Sequence, residues 1–160
     1  MAELLKGAPV ARTLTEELAA RCAVLRERGV VPTLAIVRVG EREDDLSYER
    51  GALKRCEKVG IEARCVLLPA DVSQDELLAA IEDINTDSSV HGCLMFRPLP
   101  AGLDEDAVAA ALDPAKDVDS MTPASLLTTL SGRGEGFAPC TAEAVLAILD
   151  HYGVELDGAK

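Results

Sequence analysis

Few side chains in this sequence can do chemistry. It has two histidines, His91 and His151, far apart and too few for a zinc site. Its five cysteines, Cys22, Cys56, Cys65, Cys93 and Cys140, are odd in number, scattered and without a Cys-x-x-Cys pair. They read as reduced, mostly buried thiols rather than a disulfide framework. The remaining candidates are Tyr48, Lys54, Arg97 and Asp119. A lysine can act as general base where its surroundings lower its pKa, but Lys54 equally reads as a solvated surface residue. Arg97 can meet a ligand carboxylate or simply end a strand in solvent. Tyr48 is either a ligand-stacking ring or a structural residue of an amphipathic helix. Asp119 is either a ligand acceptor or a loop carboxylate. Pro98 and Pro100 can end a strand or shape a pocket.

The elements that must position these groups alternate. Thr13-Leu14-Thr15-Glu16 has capping-box spacing and predicts a helix from there to about Arg28. The run 33–39 predicts a buried strand ended by Gly40, and 41–45 a polar loop. A helix is expected from about Leu46 to Val59, stopped by Gly60, and a strand from Ile61 to Leu68. Ser73-Gln74-Asp75-Glu76 is a second capping box, opening a helix with Leu77, Leu78, Ile81 and Ile84 on its apolar face. Val90 to Phe96 predicts a third strand, 105–112 a short helix, 114–121 a loop and 123–130 another helix. A turn at 132–136 precedes a last helix from about 141 to His151. Such alternation implies an α/β fold, a largely parallel sheet with helices on both faces in three layers. Gly40, the 96–100 segment and the 117–119 loop should then share the carboxyl edge of the sheet, where ligands sit in such folds.

The net charge of −12 argues against a nucleic-acid partner, which needs clustered Lys and Arg. No apolar run reaches membrane-spanning length and no basic-then-apolar leader opens the sequence, so neither a membrane nor secretion is expected and the location reads as cytoplasmic. No Gly-x-Gly-x-x-Gly follows a strand, so no dinucleotide site is expected within these residues.

Three strings, Gly92-Cys93-Leu94-Met95-Phe96-Arg97-Pro98-Leu99-Pro100, Lys116-Asp117-Val118-Asp119 and Pro139-Cys140-Thr141, occur in that order. With Tyr48 at a set spacing from Gly40, they resemble the N-terminal, folate-binding catalytic domain of the methylenetetrahydrofolate dehydrogenase/methenyltetrahydrofolate cyclohydrolase family. The resemblance spans essentially residues 1–160, with the last helix leading toward a nucleotide-binding domain outside this chain. It implies a tetrahydrofolate derivative as ligand, NADP or NAD as a cofactor held by that other domain, and a possible homodimer. It further implies substrate binding by Tyr48, Pro98, Leu99, Pro100 and Asp119, with Lys54 and Arg97 as possible additions. The family's catalytic lysine lies one helical turn after the tyrosine, on the same face. Ala52 stands there in this sequence, while Lys54 falls about 120° round the helix from Tyr48. The family's glutamine partner of that lysine corresponds to Phe96, and the glycine after the motif aspartate to Ser120. Proton transfer by a placed side chain contributes about 10²- to 10⁴-fold. The expectation is therefore little hydrolysis by this chain alone, leaving a folate-binding or interaction module, or a pocket rebuilt for another small ligand, as alternatives.

Overall fold

The structure, a computed structural model, describes residues 4–134 and 136–158. Three strands, β1 (Thr33–Val39), β2 (Glu62–Leu68) and β3 (Gly92–Met95), form a parallel sheet in the order β2-β1-β3. Thr33 lies opposite Glu62 and Val39 opposite Leu68, while Leu34 lies opposite Gly92 and Val37 opposite Met95. Helices α1 (Gly7–Glu27), α2 (Glu43–Val59), α3 (Gln74–Thr86), α4 (Glu105–Ala111), α5 (Pro123–Ser131) and α6 (Cys140–His151) complete the described chain, with a 3-10 turn at Pro114–Lys116. The expected α/β class with parallel strands is what forms.

The central strand explains the layering. Residues 35–39 of β1 are all buried, so alternate side chains must find apolar partners on opposite faces. Ala35, Val37 and Val39 pack with Leu77, Ile81 and Ile84 of α3 and Val108 of α4. The other face meets α2, to which Arg38 is tied by a 2.7 Å ion pair with Glu49. Both side chains are almost fully buried, so the pair fixes the rotation of α2 about its axis.

Local signals account for most boundaries. Ser73 accepts from the Glu76 N–H at 3.2 Å and Glu76 accepts from the Ser73 N–H at 2.9 Å, the reciprocal box expected at the start of α3. Gly60 ends α2 with φ 82°, a left-handed cap that a side chain would strain.

Four boundaries differ from expectation. Helix α1 starts at Gly7 rather than Thr13, because Pro9 in its first turn forfeits no intrahelical hydrogen bond. The Thr13 and Thr15 hydroxyls then donate back to the Pro9 and Ala11 carbonyls instead of capping. Helix α2 starts at Glu43, since Glu43, Asp44 and Asp45 suit the positive end of a helix better than a loop. Strand β3 is only four residues long, pairing with β1 alone along its inner edge and with Asp117 through one bridge at Cys93. The 114–121 stretch is a 3-10 turn before it becomes loop. Of the 132–136 turn, position 135 lies outside the described residues.

Candidate functional site

The β1–α2–β2 connection runs to one side of β1 and β2–α3–β3 crosses back over it to the other, so the sheet has its switch point between β1 and β3. A cavity of about 330 Å³ opens there, at the carboxyl ends of the two strands. The chain leaving β1 contributes Arg42, Asp44, Asp45 and Tyr48; the chain leaving β3 contributes Phe96 and Arg97; Asp119 closes the far side. A larger, mainly apolar groove of about 800 Å³ runs on from it between α2 and the sheet, past Ala52, Cys56, Leu34 and Leu94. Asp44, Tyr48 and Leu94 line both spaces, so the two are continuous.

Tyr48 is 64 % exposed, and Phe96 is 8 % exposed. Their ring centroids are 5.4 Å apart with planes at 90°, an edge-to-face contact that sets the tilt of the tyrosine ring. Ala52, one turn along α2 from Tyr48, lines the groove; Lys54 is exposed and lines neither space. The structure thus brings Tyr48, Phe96, Arg97 and Asp119 together and leaves Lys54 outside.

Pro98, Leu99 and Pro100, expected to bind substrate, line neither space. The Pro98 carbonyl accepts from Arg42 Nη1 at 3.0 Å, the Leu99 N–H donates to Glu105 Oε2 at 3.0 Å, and the Leu99 side chain packs on the core. Arg97 reaches Glu105 Oε1 at 3.6 Å, a half-exposed pair worth little by itself.

The string Lys116-Asp117-Val118-Asp119 divides its labour. Lys116 Nζ donates to the carbonyls of Ile84 (2.6 Å), Asn85 (2.9 Å) and Asp87 (2.8 Å), capping the negative end of α3. Asp117 is fully buried and accepts from the N–H groups of Met121 (2.9 Å) and Thr122 (2.8 Å). Burial would raise its pKa, but those N–H donors and the Ser125 and Thr122 hydroxyls outweigh it and hold the carboxyl below its ordinary value. Two anchored residues therefore present the fourth, Asp119, at the cavity wall. Gly92 on β3 allows the approach: a Cβ there would stand 2.5 Å from Val118 Cγ1. Ser120 follows with φ 55° and a buried hydroxyl that has no partner among the described residues.

Burial raises the thiol pKa of Cys56, Cys65, Cys93 and Cys140, away from the thiolate. Burial, and then the Asp117 charge, push Cys93 up to about 12. Cys140, expected to be buried, is exposed at the start of α6, where its thiol donates to the Val118 carbonyl at 3.2 Å. Its pKa is raised by partial burial first and by the neighbouring Asp119 carboxylate second. Cys65 is also exposed, leaving Cys22, Cys56 and Cys93 as the buried thiols. Among the described residues no group of three or more His, Cys, Asp or Glu side chains is placed to hold a metal ion, and no helix is long and apolar enough to cross a membrane.

Sequence reasoning missed Arg42, Asp44 and Asp45, which it assigned to a loop. The available signal was an acidic first turn directly after a buried strand and a glycine, which places those side chains at the carboxyl edge.

Residues 5–119 match the family described as tetrahydrofolate dehydrogenase/cyclohydrolase, catalytic domain. The bifunctional protein FolD of Alkaliphilus oremlandii is 45% identical over 160 residues, covering 100% of this chain and 56% of that protein. The FolD protein of Clostridioides difficile is 45% identical over 158 residues, covering 99% and 55%. Among solved structures, the bifunctional FolD enzyme of Campylobacter jejuni superposes with a TM-score of 0.93 at 33% identity, over 96% of this chain and 55% of that one. The Trypanosoma brucei enzyme, solved with NADP cofactor and inhibitor, gives 0.89 at 31%, over 97% and 53%. The chain spans about half the length of these relatives. With its matched residues, its parallel sheet and its cavity at the switch point, this chain belongs to the tetrahydrofolate dehydrogenase/cyclohydrolase family and corresponds to its catalytic domain.

Proposed function

We propose that the cavity between β1 and β3 holds the pterin end of a tetrahydrofolate derivative, and that these residues alone do not hydrolyse a 5,10-methenyl bridge at an enzyme's rate. The observation that carries the reading is that Tyr48 and Asp119, distant in sequence, line one 330 Å³ cavity. A carboxylate can accept two donors from an aminopyrimidine edge, and an exposed aromatic ring can stack on a planar ligand.

Hydrolysis needs a base or a polarised water at the bridge carbon. At the lysine position Ala52 offers a methyl group, and at the glutamine position Phe96 offers a ring already packed on Tyr48. Arg42 and Arg97 line the cavity, but guanidinium does not give up its proton; the carboxylates of Asp44, Asp45 and Asp119 are the bases that line it, and in this reading Asp119 is taken up by the pterin edge. Loss of a positioned proton-transfer group removes about 3 to 5 kcal/mol of barrier lowering.

Oxidation of a 5,10-methylene bridge is the other reaction of the bifunctional relatives, and it uses NADP or NAD. The turn from β1 into α2 is where this topology would seat a dinucleotide phosphate. That turn has Gly40 as its single glycine and opens into Glu43, Asp44 and Asp45, three carboxylates that repel phosphate, so these residues do not fit the group. A nicotinamide cofactor would be held by residues outside this sequence.

Calorimetric titration with 5-formyltetrahydrofolate, repeated on Asp119→Ala, tests the proposal. Micromolar affinity weakened at least tenfold by the substitution, about 1.4 kcal/mol, is expected. Absence of heat at millimolar ligand, or equal affinity in the variant, would sink it.

A further inference from the structure

The groove beside the cavity offers a different chemistry from the cavity itself. Tyr48, Gly51, Ala52 and Arg55, at spacings of three, four and seven residues along α2, present one stripe of the helix to it. Leu34 and Leu94 of the sheet form the facing apolar wall. Asp44 stands at the mouth shared with the cavity, and Arg55 lies about 16 Å further along the helix axis. Arg55 Nη1 donates to the Thr15 hydroxyl of α1 at 3.2 Å. That contact uses one of its five N–H donors, and Arg55 has no ion pair among the described residues.

Gly51 is the unexpected lining residue. It sits inside α2 without a positive φ, and a Cβ there would meet nothing within 4 Å. Neither backbone geometry nor a close neighbour calls for glycine, which weakens a helix interior relative to alanine. What the missing side chain leaves is bare helix surface between Tyr48 and Arg55, where a flat group can lie against the groove wall.

We propose, resting on the reading of the cavity as a pterin site, that the groove receives the aroyl-glutamate tail of the same ligand and that Arg55 pairs with a tail carboxylate. From Tyr48 to Arg55 the helix rises about 10 Å, room for an aromatic ring, its amide and the first carboxylate. The ring lies over Gly51 and Ala52 against Leu34 and Leu94, and the amino-acid end meets the guanidinium.

The order of the lining matches the order of the ligand. Asp119 suits the donor edge of the pterin, the apolar walls suit the ring, and Arg55 suits the anion at the far end. A planar guanidinium holds a carboxylate through two parallel N–H donors. Asp44, the carboxylate that also lines the groove, stands at its opposite end and leaves the Arg55 charge uncancelled. Because Arg55 is exposed, the pair is worth about fivefold in affinity.

Calorimetric titration with 5-formyltetrahydrofolate and with its glutamate dimethyl ester separates tail charge from tail shape. The acid should bind about fivefold more tightly than the ester, and added salt should shrink the difference. Arg55→Gln should bring the two affinities within about twofold of each other. Gly51→Leu, a better helix former that fills the groove, should weaken binding of the acid at least about fivefold. Its Tm by circular dichroism should stay at or above the parent's. Equal affinities for acid and ester in the parent, or a ratio untouched by Arg55→Gln, would overturn the pairing while leaving the pterin reading intact. A Gly51→Leu protein that melts with the parent and binds the acid as tightly would overturn the groove as the seat of the tail. Binding of neither ligand would overturn both readings.

Discussion

Ser120 gives a direct test of whether the loop that presents Asp119 is strained. Its φ of 55° lies in the left-handed region, where a Cβ crowds the following carbonyl at a cost of about 1 to 2 kcal/mol. Its side chain is 8 % exposed and its hydroxyl has no partner among the described residues, a desolvation cost of about 1 to 3 kcal/mol. Ser120→Gly removes both. Against that gain stands the extra freedom of glycine in the unfolded chain, about 0.5 to 1 kcal/mol, and a small loss of packing. The N–H donors of Met121 and Thr122 to Asp117 lie just beyond the substitution and hold the loop's course. The net expectation is stabilisation by about 1 to 4 kcal/mol, a rise in Tm of at least about 2 °C for a chain of this size. Ser120→Ala apportions the gain, since it deletes the hydroxyl but keeps the left-handed Cβ. Thermal melts of the three proteins by circular dichroism provide the measurement. A glycine variant no more stable than the parent, or an alanine variant that matches it, would refute the strain.

Two further perturbations probe the same corner. In Gly92→Ala the new methyl meets Val118 Cγ1 at 2.5 Å, so β3 or the 116–119 segment must shift. Destabilisation by about 1 to 3 kcal/mol and weaker binding of 5-formyltetrahydrofolate are expected, with partial rescue by adding Val118→Ala, as read by urea melts and calorimetry. Normal stability and affinity in Gly92→Ala alone would disprove the close approach. Asp117 has a folded pKa below its unfolded value, so its charge contributes stability that is fully present at neutral pH and lost as pH falls below about 4. Asp117→Asn should cost about 2 kcal/mol at pH 7 by leaving a buried N–H without its acceptor. Urea midpoints of the two proteins should converge as pH falls below about 4. A gap that stays constant with pH would contradict the assignment.

Much of the frame was legible because the responsible forces are local. The apolar run 33–39 became β1 without error, Gly60 ended α2, and the Ser73–Glu76 box opened α3. Where a local signal had two outlets, the reading failed. Thr13 and Thr15 can cap a helix or bond back to carbonyls within one, and Pro9 decided the matter from four residues upstream. The site divides likewise. Spacing from Gly40 was enough to bring Tyr48 to the cavity, and the anchored string was enough for Asp119. The buried Arg38–Glu49 pair and the Arg42–Pro98 contact join distant segments through side-chain direction, which spacing does not encode. For the same reason spacing did not show that the Pro98 carbonyl holds Arg42 or that the Leu99 side chain packs on the core.

Ala52 and Phe96 make physical sense as a pair. An ammonium group at position 52 would need acceptors in a partly enclosed site, and a ring at position 96 offers none, leaving Asp44 as the carboxylate that lines the same groove. A glutamine at position 96 without that ammonium would leave buried amide atoms unsatisfied in its turn. Phe96 instead buries nearly all of its ring, worth about 1.5 to 3 kcal/mol, and adds about 0.5 to 1.5 kcal/mol by meeting Tyr48 edge-on. Ala52 leaves the groove beside them open, continuous with the cavity. On the proposed reading, these two positions exchange proton transfer for aromatic packing while Tyr48 and Asp119 keep their places. The exchange alters what happens to a bound ligand without disturbing the elements that hold it. Family membership and loss of hydrolysis are then compatible, because the first rests on the sheet and its anchored loops and the second on two side chains at its edge.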